Sequence, residues 1–380
     1  MHVAQLGGLR RPGPDSPNGA WRNKSFQGYA DYMLTEAFEA GLGELNALAA
    51  HGTVALMCAE AVPWRCHRSL IADVLSARGA RVEHIASAQR ATPHRLTPFA
   101  RLQGSRVTYP GSASGPLATA GPFHFEATVR VLQRRPVNRV DQWQLDKYLR
   151  VLTTSAGPAL VEVQSYGTID APELHYRVIE GAHTRRAQRE LIETLRKVLG
   201  LDVDPGPLLQ LTASARRLRP SALALRGLRP PRYPGLFEAV ANVLPFQQVS
   251  LDAGVAIVGR LVERFGTGLE HAGRHYAVFP EAASVASARL EALRACGLPL
   301  GRAEALRNAA RAIERGEVRI EQLESMDSRE AIRCLTELPG IGPWSAALVL
   351  LRGLGRLDVF PPGDAGVARA LARTTGAGPG

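Results

Sequence analysis

The chain has 380 residues, of which 45% are hydrophobic and 21% charged, and 46 Lys and Arg against 35 Asp and Glu give a formal net charge of +11. Two or three domains are expected at this length, and the composition excludes a disordered chain. No apolar run is long enough to cross a bilayer, which predicts a protein with no membrane partner.

The positive balance favours an acidic partner, nucleic acid first, because clustered cations release the counterions condensed around phosphate. Lysine occurs only at Lys24, Lys147 and Lys197, so the charge is almost all arginine and equally fits an Ala/Arg/Gly/Pro-rich composition. The start, MHVAQLGGLRRPGPDSPNG, has no apolar core of a signal peptide, so a cytoplasmic location is expected. Cys58, Cys66, Cys296 and Cys334 are too few and too scattered for a disulfide framework and read as free thiols.

In chain order, GTVALMCAEAVPWRCHRSLIADVLSARGARVEHI (52–85) reads as an apolar strand VALMC, a helix over 69–78 and a second strand RVEHI. That predicts a strand-helix-strand unit within an N-terminal α/β domain over 1–107. PGSASGPLATAGP reads as a linker, giving a boundary over 108–121. The segments FHFEATVRVL, YLRVLTT, ALVEVQSYG and ELHYRVIEG alternate apolar and polar residues, which predicts a small antiparallel sheet in an α+β region over 122–225. HTRRAQRELIETLRKVLGLD follows, with Thr184 as a cap and helical spacing at Leu191, Leu195 and Val198. From about Leu236 the periodicity is helical almost throughout, so 226–380 is expected to be all-α.

Near the end lies ELPGIGPWSAALVLLRG (337–353). Pro339 ends one helix, Gly340 and Gly342 permit positive φ and leave amides unshielded, and Pro343 suits the first turn of the next helix. The amides and the helix N-terminus form a nest for a phosphate. A plain tight turn between antiparallel helices would recruit the same residues. Downstream, DVFPPGDAGVARAL places Asp364 where it either caps a helix or presents a carboxylate.

LPGIGPW followed by Asp364 resembles the helix-hairpin-helix phosphate clamp and catalytic aspartate of base-excision DNA glycosylases. GLRPPRYPGLFEAVANVLPFQQVSLDAGVAIVGRLVERFG (227–266) resembles the first helices of the DNA-3-methyladenine glycosylase II family, and the likeness spans roughly 122–376. The resemblance implies a multidomain chain ending in an all-α helix-hairpin-helix glycosylase domain, with an α+β subdomain before it. It implies DNA contacts from Leu338, Pro339, Gly340, Ile341, Gly342, Gln247, Gln248 and Ser250, with Gln248 wedging into the gap left by a flipped nucleotide. Trp344, which could equally pack in the core, and Leu348 would by this resemblance line the base pocket, Leu348 replacing an aromatic that some relatives carry. Asp364 would be the catalytic carboxylate, and Asp358 a structural partner for its loop.

An alkylated purine is already cationic and leaves without a strong general acid, so a fixed carboxylate beside the sugar suffices. Relatives that nick the backbone carry lysine where this chain has Trp344, and no lysine follows Lys197. Hydrolysis to an abasic site without lyase activity is therefore implied, with no cofactor, no metal and no iron-sulfur cluster. The implied partner is duplex DNA with alkylated bases, bound by a monomer. The family carries further helices beyond the 16 residues that follow Asp364, so this domain is expected to be short at its carboxyl end.

CAEAVPWRCHRSLIADVL resembles a bacterial family of uncharacterised α/β domains with a Cys-Ala-Glu and Cys-His-Arg signature, over about residues 4–107. It makes Cys58, Cys66, His67 and Arg68 a second candidate site, a reactive thiolate or anion site, against the alternative of buried thiols with a capping His. Two other readings of the whole chain stay open: a noncatalytic damaged-DNA-binding protein, and a thiol-dependent enzyme tethered to DNA.

Overall fold

The computed structural model describes residues 2–60, 66–87, 89–111, 113–182, 184–204, 206, 207, 210, 214 and 217–375. The chain forms two compact units, Met1–Ala113 with Ala182–Arg189, and Ser114–Gly181 with Glu190–Gly380.

The first unit contains helices α1 (Lys24–Tyr32), α2 (Glu36–Ala49) and α3 (Arg68–Ala77), and two hairpins, β1 (Glu83–Ser87) with β2 (Arg90–Pro93) and β3 (Arg101–Gln103) with β4 (Arg106–Thr108). Asn23 caps α1 by accepting the Ser25 amide, and Thr35 caps α2 by accepting the Phe38 amide. Tyr29, Phe38, Leu42, Leu70, Ile71, Val74, Val107 and Tyr109 share one core. Inside it, the fully buried Asp73 of α3 accepts from the Thr97 amide and hydroxyl at 2.9 and 2.6 Å, from Tyr109 at 2.7 Å and from His94 at 2.8 Å. Those donors offset the cost of burying the carboxylate and tie the segments after α3 to it.

This unit mixes helices and strands as expected, but among the described residues the strand-helix-strand arrangement does not form. Residues 53–58 have no ladder partner among the described residues and, apart from the half-buried Leu56, face solvent, Met57 being 92% exposed. Arg68 instead donates to the Leu56 carbonyl, an acceptor that a neighbouring strand would otherwise take, and to the Glu60 carbonyl just beyond the segment. RVEHI does supply β1, paired antiparallel with the strand that follows it.

The second unit opens with a five-stranded antiparallel sheet in the order β5-β9-β8-β7-β6, formed by β5 (Ser114–Leu117), β6 (Gln142–Gln144), β7 (Lys147–Thr154), β8 (Gly157–Ser165) and β9 (Leu174–Glu180). The expected linker therefore already contains a strand: β5 pairs with Leu174–Arg177 at the sheet edge, where Pro116 is tolerated. FHFEATVRVL is also not a strand but helix α4 (Phe125–Gln133), in which Phe125, Val129 and Leu132 fall on one buried face and His124 accepts the Ala127 amide as a cap. Its alternating residues fit both periods, and the cap decides between them. In α5 (Arg185–Val198), Thr184 accepts the Ala187 amide as predicted, and Leu191, Leu195 and Val198 are fully buried.

The helical region comprises α6 (Arg219–Ala224), α7 (Leu236–Ala241), α8 (Leu251–Phe265), α9 (Ala282–Ala286), α10 (Leu290–Ala295), α11 (Leu300–Glu314), α12 (Ile320–Ser325), α13 (Ser328–Thr336), α14 (Pro343–Val349) and α15 (Ala365–Thr375). Apolar faces of α7, α8, α11, α13 and α14 meet in one core that includes Val240, Leu261, Leu306, Leu335, Ile341 and Leu350. The region is not all-α. Strands β10 (Thr267–His271) and β11 (Arg274–Val278) form a hairpin turned by Ala272 and Gly273 at φ 49° and 71°, the geometry of a two-residue primed turn. Val278 packs against Val151 and Leu160 of the sheet.

Sheet and helices are also joined by charge. The buried Arg150 of β7 donates to Asp141 at 2.6 Å and to Glu238 of α7 at 2.5 Å.

Candidate active site

The hairpin is built between α13 and α14. Asp327 and Glu330 form a reciprocal capping box at the start of α13, and Pro343 opens α14. Of the two glycines only Gly340 takes a positive φ, 84°, and a Cβ there would lie 2.4 Å from the Ala305 Cβ. Gly342 is extended and a Cβ on it would meet open space, so the approach to the helix N-terminus is clear there. Ile341 is 3% exposed and plugs into the helical core, while Pro339, Gly340 and Gly342 face solvent and Leu338 is half-buried. By helix geometry the first amides of α14 lack intrahelical acceptors and point outward, with the partial positive end of the helix behind them.

The turn carrying the Gln-Gln-Val-Ser string braces this hairpin. Gln247 donates through Nε2 to the Gly340 carbonyl at 3.1 Å and to the Ser345 hydroxyl at 2.8 Å. Arg134 lies over the Phe246 ring at 4.2 Å, fixing the residue just before. Gln248 is exposed and held at φ 57°, a conformation unusual for a side chain of its type, and its Oε1 accepts from Arg302 at 3.2 Å. Ser250 caps α8 by accepting the Ala253 amide at 3.2 Å. Sequence reasoning grouped these residues but gave no signal for Arg302 or Ser345, which lie far along the chain.

From α14 the chain passes through a π turn at Leu350–Leu354 and a loop to Asp364. Arg356 anchors that loop by donating to the carbonyls of Leu323, Glu324 and Met326, and Val359 packs into the helical core. Asp358 is exposed on the same loop. The loop brings Asp364 back to the hairpin: Trp344 donates its indole N–H to Asp364 Oδ2 at 2.9 Å, and Oδ1 accepts the Val367 amide at 2.9 Å as the cap of α15. The Val367 amide and then the indole hold the Asp364 carboxyl below its ordinary value. Leu348 lies one turn after Trp344 on the same helix, half-buried against the core.

In the first unit, Cys58, Cys66 and His67 converge, their sulfur and nitrogen atoms all within 4.8 Å of one another. Cys66 is buried and Cys58 exposed. The reading of this set as a non-metal site thus meets a cluster whose donor atoms match soft-metal ligands.

Residues 242–379 match the model described as HhH-GPD superfamily base excision DNA repair protein, residues 116–234 the AlkA N-terminal domain, and residues 1–75 the Domain of unknown function DUF488. A DNA-3-methyladenine glycosylase of Bacillus subtilis is 29% identical over 184 residues, 48% of this chain and 61% of the relative. DNA-3-methyladenine glycosylase 2 of Escherichia coli is 35% identical over 138 residues, 36% of this chain and 48% of the relative. The chain thus matches less than two thirds of the length of these curated relatives. The solved 3-methyladenine DNA-glycosylase from Archaeoglobus fulgidus is 27% identical, with 69% of this chain and 86% of that chain covered and a TM-score of 0.58. Residues 242–379, which carry the hairpin and its Trp344–Asp364 pair, match the helix-hairpin-helix superfamily of base excision DNA repair proteins, and residues 116–234 before them match an AlkA-type N-terminal domain.

Proposed function

We propose that this chain is a DNA glycosylase that hydrolyses the N-glycosidic bond of alkylated purines of the 3-methyladenine type in duplex DNA, leaving an abasic site. The observation that carries this reading is the Trp344–Asp364 hydrogen bond, which sets a charged carboxylate beside an aromatic ring at the mouth of an anion-binding hairpin. The solvent-facing glycines and the N-terminus of α14 receive a phosphate. The rigid Gln248 turn next to it takes the place left when a base is extruded.

A cationic alkylated purine stacks on the electron-rich face of Trp344. Asp364 lies on the sugar side, where it stabilises the oxocarbenium-like charge that grows as the base departs and orients the attacking water. Because Trp344 stands where a Schiff-base lysine would be needed, the reaction stops at hydrolysis and requires no cofactor. The protein acts as a monomer on its DNA.

The test is release of free bases from duplex DNA treated with a methylating agent, followed by chromatography, with a parallel borohydride trap. Released 3-methyladenine without a covalent protein–DNA adduct is expected. An absence of released base, with abasic-site DNA still bound, would favour a noncatalytic binding protein. An adduct would overturn the absence of a lyase step.

A further inference from the structure

The first unit holds a second set of reactive groups that plays no part in the chemistry above. Cys58 is exposed and Cys66 is 3% exposed, yet their sulfurs lie within 4.8 Å of each other. Arg68, at the start of α3, donates through Nε to Cys66 Sγ at 3.4 Å and through its two terminal nitrogens to the Leu56 and Glu60 carbonyls. One guanidinium therefore straps the segment carrying Cys58 across the start of α3 and places a positive charge beside both sulfurs. His67 Nδ1 lies 3.9 Å from Cys66 Sγ, and its ring is packed 4.8 Å from Tyr29.

We propose that Cys58 and Cys66 are a redox-active thiol pair that reduces a hydroperoxide, with Cys58 as the attacking sulfur and Cys66 as the resolving one. The division of roles follows from access, since an oxidant reaches the exposed sulfur first and the buried one meets only its neighbour. Charge agrees. The Glu60 amide, the Cys66 thiol and the Arg68 cation hold the Cys58 thiol below its ordinary value, so a larger share is thiolate at neutral pH. Burial first, then Arg68 and Arg10, lowers His67, which keeps the imidazole beside Cys66 neutral.

In the first step the Cys58 thiolate attacks the distal peroxide oxygen. A sulfur–oxygen bond forms, the oxygen–oxygen bond breaks, and the alcohol leaves with a proton. Cys66 then attacks the sulfenic sulfur, a disulfide forms, the sulfur–oxygen bond breaks, and water leaves. Two thiols lose two electrons and two protons, and the peroxide is reduced to alcohol and water. A bound metal is the rival use of the same atoms, but the guanidinium already on Cys66 opposes a second cation there.

The experiment treats the reduced full-length protein with limiting hydrogen peroxide, blocks remaining thiols with an alkylating agent and maps peptides by mass spectrometry. The expected result is a Cys58–Cys66 linkage, lighter by about 2 Da than the two reduced peptides, with Cys296 and Cys334 alkylated. Cys66→Ser should accumulate a sulfenic acid on Cys58 that a cyclic diketone traps, whereas Cys58→Ser should leave Cys66 reduced. Both thiols still alkylated after peroxide would overturn the proposal. Oxidation by glutathione disulfide but not by peroxide, or purified protein whose bound metal shields both thiols, would overturn it as well.

Discussion

Asp364 caps a helix and faces the proposed reaction centre at once, and replacing it with asparagine separates the two roles. Its carboxylate accepts from the Val367 amide and from the Trp344 indole, each at 2.9 Å. In Asp364→Asn a carbonyl oxygen remains for Val367, and asparagine caps helices as well as aspartate does, so α15 should persist. The new amide nitrogen would face the indole N–H, donor against donor, and losing that bond costs about 1 kcal/mol. The chemistry should suffer far more, because the charge opposing the developing oxocarbenium is gone. Removing one preorganised electrostatic group typically costs about 10²–10³ in rate, or about 2.7–4 kcal/mol. The assay pairs single-turnover base release from methylated duplex DNA with thermal denaturation of the same samples. A variant that keeps its melting temperature and loses most of its base release fits the reasoning. A variant releasing bases as fast as wild type would refute it and leave Asp364 as a cap alone.

Trp344→Phe keeps a ring for stacking but removes the donor to Asp364; a bond to a charged group at a half-buried site supplies about 1.5 kcal/mol, so kcat should fall about tenfold. A rise in KM without a fall in kcat would instead assign Trp344 to binding. For pH, Asp364 has a depressed native pKa, so its stabilising charge is complete above the unfolded value and is lost only as pH falls through the native one. The acid limb of the kcat/KM profile should accordingly lie below the ordinary aspartate value of about 3.9, and a limb above it would contradict the assignment. Gly340→Ala places a Cβ at φ 84° and 2.4 Å from Ala305, so a stability loss above about 1–2 kcal/mol and weaker DNA binding are expected in denaturation and titration experiments. Glu238→Ala leaves the buried Arg150 with Asp141 alone and one terminal nitrogen without its acceptor, which should cost about 1–3 kcal/mol in urea unfolding.

The parts of this protein that could be read from sequence are those whose physics is local. Pro339, Gly340 and Pro343 fix a turn within a few residues, and Thr184 caps its helix by a bond to the amide three residues on. Strand pairing is nonlocal, and there the reading failed in both directions. VALMC has strand composition but no ladder partner among the described residues, and Arg68 takes its Leu56 carbonyl, whereas the Gly/Pro/Ser-rich stretch before Leu117 becomes a strand because β9 offers an edge. FHFEATVRVL satisfies both periods, and TGLEHAGRHYAV lies between helices with an Ala-Gly turn in place of the Asn-Gly or Asp-Gly that would mark a hairpin. At the hairpin the motif marked the right residues without their partners. Gln247 turns inward to brace Gly340 and Ser345, and Gln248 leans on Arg302 from another helix.

Capping and catalysis at Asp364 need not compete as explanations. The chemistry proposed here requires a carboxylate that stays ionised while a cationic base and a phosphate backbone crowd the same small space. A residue at an N-cap meets that requirement through its position, because the helix amide it accepts favours the charged form and fixes the direction of the remaining oxygen. The Val367 bond holds Oδ1, and the indole then orients Oδ2, so the side chain has little rotational freedom left to lose when substrate arrives. On this view the cap is what prepares the carboxylate, and the short hairpin before it carries Trp344 into position to complete the preparation.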